Sequence, residues 1–117
     1  MRKSERIKNV LLTECMVDYV GLWEAISHVE YGLSDASAQK VREVTMDLIG
    51  ELMHEGLVKA GDLNEISGFV PWQHNPEEAL KRISDEWSAL GHEPNLGDIV
   101  WLTTTEAGDA KVELHNQ

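Results

Sequence analysis

Glu43, Asp47, Glu51 and Glu55 stand four residues apart, and carboxylates at that spacing share one face of a helix. Each like-charge pair costs the helix a few tenths of a kcal/mol. Such a ladder is either a solvated acidic face or a surface that docks a basic partner. Glu51 and His54 also form a Glu-x-x-His pair. Di-iron bundles need two such pairs and two further inward glutamates, and the chain has no second pair. Glu24 and His28, at i and i+4, read as a local surface pair. Cys15 is the only cysteine, which excludes an intrachain disulfide and a multi-cysteine zinc site. Its place on an apolar stripe predicts a buried, inert thiol. No phosphate-binding glycine loop, His-Glu-x-x-His or Gly-x-Ser-x-Gly motif occurs. The sequence therefore predicts no catalytic residues, no metal and no cofactor.

The charge balance points the same way. The chain has 117 residues, room for one domain, and carries 21 acidic against 10 basic residues, a formal charge of -11. Arg2, Lys3, Arg6 and Lys8 form a basic segment over residues 1–8, and no Lys or Arg follows until Lys40. From residue 9 onward, six basic residues oppose twenty acidic ones, a net of -14. Such a body works against phosphate neutralisation and is repelled by anionic membranes. The basic segment reads as a solvated end, a nucleic-acid arm, or a partner for the acidic body. Its opening imitates the basic end of a signal peptide, but the apolar stretch that follows is only Val10-Leu11-Leu12. A membrane span needs roughly 18 apolar residues. The expectation is a single cytoplasmic domain.

Helices come first in the chain. Ile7, Val10, Leu11, Cys15 and Tyr19 approach helical spacing over residues 5–20, and Leu22, Trp23, Ile26 and Val29 continue the pattern. Gly21 makes this either one bent helix or two that meet there. Ser34 or Asp35 can cap the next helix, whose stripe is Val41, Val44, Leu48 and Leu52, with Gly56 as its stop. Residues 57–61 read as a strand and about 61–75 as a loop. Asn75-Pro76-Glu77-Glu78 starts a helix through Leu90. Residues 99–102 are β-like, and Thr103-Thr104-Thr105-Glu106 offers a cap for a short terminal helix weakened by Gly108.

The segment Leu48-Ile49-Gly50-Glu51-Leu52-Met53-His54-Glu55-Gly56-Leu57-Val58 resembles the end of a winged-helix recognition helix entering the first wing strand. Ile99-Val100-Trp101-Leu102-Thr103 followed by Thr105-Glu106-Ala107-Gly108 is similar to the second wing strand and the turn after it. The resemblance implies an α+β, winged-helix-like fold. Its N-terminal helices lead into a small β-hairpin or wing, in which residues 62–97 insert a helix of their own.

In DNA-binding members of that family the helix over 35–55 would read bases. Here the ladder begins opposite the apolar stripe and drifts towards its border. Only Gln39, Lys40 and Arg42 suit nucleic acid. Trp23, Trp87 and Trp101 lie on apolar stripes and are expected in the core. Trp72 sits in a predicted loop, either packed under the helix that follows or exposed as a partner anchor. The expectation is a non-catalytic acidic binding module, similar in size and charge to bacterial immunity proteins and nucleic-acid mimics. It would meet a basic protein through Glu43, Asp47, Glu51, Glu55 and Trp72. The alternative is a winged-helix transcription regulator using Lys40 and Arg42, with a homodimer pairing its basic arms.

Overall fold

The computed structural model describes residues 2–115. Among these, five helices and a four-stranded antiparallel sheet make an α+β fold. The first helix, α1 (Lys3–Val17), turns Ile7, Leu11, Leu12 and Cys15 into the core. The basic segment is therefore mostly helical from Lys3, and Lys8 is buried.

Gly21 separates two helices rather than bending one. A two-residue strand, β1 (Val20–Gly21), intervenes before α2 (Leu22–Gly32). Tyr19 accordingly leaves the helical stripe and is 37% exposed. Glu24 Oε1 accepts a hydrogen bond from the Gly21 N–H at 3.3 Å, which satisfies one donor at the start of α2.

The third helix, α3 (Ala38–His54), starts later than expected. Asp35 adopts a left-handed conformation, φ 72°, and the Ala36 N–H closes a turn onto the Leu33 carbonyl. That turn carries the chain on to Ser37, whose hydroxyl accepts from the Lys40 N–H at 3.1 Å and is the actual cap. At the other end Gly56, φ 73°, stops the helix as expected. The Leu57 and Gly56 N–H groups bond to the Leu52 and Met53 carbonyls, the paired arrangement of a Schellman motif.

The segment read as a loop over 61–75 is largely strand. β2 (Val58–Asn64) and β3 (Gly68–Pro71) form a hairpin pairing Gly61 with Pro71 and Leu63 with Phe69. Asn64 Oδ1 accepts from the Ile66 and Ser67 N–H groups and shapes the turn. α4 (Pro76–Leu90) follows with its capping box complete: Asn75 and Glu78 exchange two 2.9 Å hydrogen bonds.

β4 (Trp101–Thr104) begins two residues after the predicted start because Ile99, φ 72°, turns the chain before it. It lies between β1 and β2, giving the order β1-β4-β2-β3. Finally α5 (Glu106–His115) is capped by Thr105, whose hydroxyl accepts from the Gly108 N–H. Gly108 is a packing requirement: a Cβ there would collide with the Leu57 carbonyl. Leu11, Leu22, Ile49, Leu52, Ile83 and Leu102 fill the centre of the core. No helix among the described residues is long and apolar enough to cross a membrane.

Candidate functional site

The acidic ladder runs along α3, and its two halves have different surroundings. Glu51 and Glu55 converge on Lys8 from α1, whose Nζ lies 3.2 Å from Glu51 Oε1 and 2.6 Å from Glu55 Oε2. Lys111 of α5 adds a looser contact to Glu55 at 3.9 Å. The helix tolerates its own like charges here because α1 inserts a cation between them. Burial alone would lower the Lys8 pKa. The hydrogen bonds and charges of Glu55 and Glu51 outweigh it and hold the ammonium above its ordinary value.

Glu43 and Asp47, in the other half, are exposed. Glu43 receives a long 3.4 Å hydrogen bond from Gln39. Both carboxylates line a groove of about 570 Å³ between α3 and α4, with Met46 contributing apolar wall. Arg42 lines the same groove and is held against α4. It donates to the Ser84 carbonyl, Ser84 Oγ and Ser88 Oγ at 2.8–3.3 Å, and its guanidinium covers the Trp87 ring at 4.8 Å. Lys40 remains exposed at the start of the helix.

Trp72 is half-buried beneath α4, not an exposed anchor. Arg82 covers its ring at 3.8 Å and His74 meets it edge-on. Its indole Nε1 is buried without a hydrogen-bond partner. With Ala79 and Pro76 the ring lines a crevice of about 110 Å³ at the hairpin–helix junction.

Glu51 serves Lys8 and His54 is exposed. Glu24 caps α2. Cys15 is 1% exposed, and burial, reinforced by the charges of Glu14 and Glu24, pushes its thiol up to about 12. Among the described residues no group of three His, Cys, Asp or Glu side chains converges to hold a metal ion.

Sequence reasoning missed a further feature. Trp87 is buried as expected, but Trp23 and Trp101 are only half-buried. Gly21, Trp101, Gly61 and Pro71 align in register across the four strands. The glycines leave hollows on either side of Trp101, and aromatic rings fill them. A Cβ on Gly21 would fall inside the Trp23 ring, and one on Gly61 would come within 2.6 Å of the Phe69 ring. Trp23 meets Trp101 edge-to-face at 5.4 Å, and Tyr19 stacks on Phe69 at 5.4 Å. The signal present in the sequence was the cation-free stretch from residue 9 to residue 39, which borders this aromatic surface.

Comparison with protein-family models, curated proteins and solved structures finds no match for the chain.

Proposed function

We propose that the protein is a non-catalytic acidic binding module that docks a basic protein partner, in the manner of an inhibitor or a nucleic-acid mimic. The observation that carries this reading is the division of the ladder. Glu43 and Asp47 stay solvent-facing on an open groove, while Lys8 is held by Glu51 and Glu55 and Arg42 by α4, which leaves Lys40 as the exposed cation at the start of the helix. Free carboxylates beside an apolar wall suit fast, salt-sensitive association with a Lys/Arg-rich surface.

The core reads as winged-helix-like. Three helices, the first followed by a short strand, precede the β2–β3 hairpin, and the position of β4 between β1 and β2 supports that reading. The family's DNA-reading role suits this chain poorly. α4, carried by the insertion over 62–97, packs along α3 and takes up Arg42, and the exposed acids on the same helix would face phosphates.

The test is retention of basic proteins from the host's own lysate by the immobilised chain, with Glu43→Gln/Asp47→Asn and Glu51→Gln/Glu55→Gln as paired variants. The expected result is capture that weakens with salt, is lost in the 43/47 variant and survives in the 51/55 variant. Undiminished capture by the 43/47 variant overturns the acidic-groove reading. A salt-sensitive DNA mobility shift abolished by Lys40→Glu would favour the regulator instead.

A further inference from the structure

The aromatic surface beside β1 is the floor of a second groove, of about 460 Å³, at the junction of α1, α2 and the sheet. Trp23, Trp101 and Leu63 line its floor, and Glu14, Asp18 and Glu24 stand around it. Among the described residues, no Lys or Arg lines it. Apolar groups in it are open to solvent: Val17 is 74% exposed and Leu63 40%. A surface of exposed apolar groups with one sign of charge suits an occupant with a matching apolar stem and the opposite charge.

We infer that this groove receives an arginine side chain of a basic partner protein. An arginine satisfies both halves of the site at once. Its planar guanidinium stacks on tryptophan faces and forks onto carboxylates, and its stem covers apolar surface. A lysine ammonium meets the charge but is more strongly hydrated and lacks the planar face. A second copy of this chain fits badly, because two such faces would bring six carboxylates together with no cation between them. The cation-free sequence from residue 9 to residue 39 supplies the whole acidic rim, and Asp18 and Glu24 each also accept one backbone hydrogen bond, from Tyr19 and Gly21. The inference rests on the basic-partner reading above, but it places recognition on a different surface from the Glu43–Asp47 groove.

The test uses a short capped peptide with one central arginine among glycine and serine, and its twin with citrulline at that position. Citrulline keeps the shape and removes the charge. The indole N–H resonances of Trp23, Trp72, Trp87 and Trp101 report the site. The arginine peptide is expected to shift Trp23 and Trp101 and leave Trp72 and Trp87 unmoved, while the citrulline peptide shifts none. Glu14→Gln/Asp18→Asn, both at exposed positions, should weaken the arginine peptide about tenfold. Glu43→Gln/Asp47→Asn should leave it unchanged. Equal shifts from the two peptides, no shift at Trp23 and Trp101, or indifference to the 14/18 variant each overturn the inference. If the peptide binds as described but no basic protein depends on Glu43 and Asp47, the α3 reading fails while this one stands.

Discussion

Lys8 Nζ lies 2.6 Å from Glu55 Oε2, joining a nearly buried ammonium on α1 to a carboxylate that is 40% exposed on α3. The contact lets one lysine hold two steps of an otherwise self-repelling ladder. Lys8→Met is expected to lower stability by about 1–2 kcal/mol, since the glutamates left behind can still reach water. Because the folded-state pKa of Lys8 is raised, its contribution is complete below the ordinary lysine value of about 10.4. It is lost as pH rises through the higher folded value. Urea titrations of the wild type and variant, in low and high salt, measure both effects.

Cys15 makes a second alkaline contribution that begins at lower pH. In the unfolded chain the thiol ionises near its ordinary value of about 8.5, whereas in the fold it holds its proton up to about 12. Between those limits the unfolded state binds fewer protons, so stability falls by about 1.4 kcal/mol per pH unit. Cys15→Ala should remove that slope between pH 8.5 and 10, at the cost of a modest packing loss at neutral pH. Thiol labelling of the native protein should be correspondingly slow and accelerate on unfolding.

Two helical glycines should respond differently to a methyl group. Gly108→Ala drives a Cβ into the Leu57 carbonyl, and backbone cannot step aside as a side chain can. A loss of at least about 2 kcal/mol is expected. Gly50→Ala meets only the flexible Leu80 side chain, at 3.3 Å from Cδ1 and 3.7 Å from Cδ2, and the better helix propensity of alanine, worth about 1 kcal/mol, offsets the crowding. Thermal unfolding of the pair separates a packing glycine from a tolerant one.

Trp72→Phe removes a buried indole N–H that has no partner. Leaving such a donor unpaired costs about 1–3 kcal/mol, which offsets the smaller ring's lost contact. The variant is expected within about 1 kcal/mol of wild type, an unusually small effect for a half-buried tryptophan. Arg82→Ala, which uncovers the ring, should lower stability by about 0.5–1 kcal/mol and redshift the Trp72 emission.

Asp35→Gly should raise stability by about 0.5 kcal/mol, because an exposed residue at φ 72° gains from losing its Cβ. A small upward shift in denaturation midpoint without a change of slope is the expected outcome.

The helices were legible because their signals are local. The Asn75–Glu78 capping box, the Gly56 stop and the stripe of α3 are all set within a few residues. The β2–β3 hairpin was not, since Asp62, Asn64, Glu65, Ser67 and Gly68 give it the composition of a loop. Its ladder becomes favourable only once β4 pairs beside it, a partner some forty residues away. Trp23 and Trp101 failed for a related reason. Their helical and strand periodicity marks an apolar face, but whether another element covers that face depends on topology. The ladder of carboxylates was visible, whereas the use of Lys8 and Arg42 to divide it required knowing which helices meet.

The place of β4 has a consequence for how the chain acquires its shape. The last strand of the described residues sits in the middle of the sheet, and Val20 finds Leu102 only after nearly the whole chain is available. Such distant pairing is paid for in loop entropy before it returns any contact, which slows folding. During synthesis, β1 and the β2–β3 hairpin have no common partner until residues 101–104 emerge. Until then the strands that flank β4 keep unpaired edges, which the finished sheet closes.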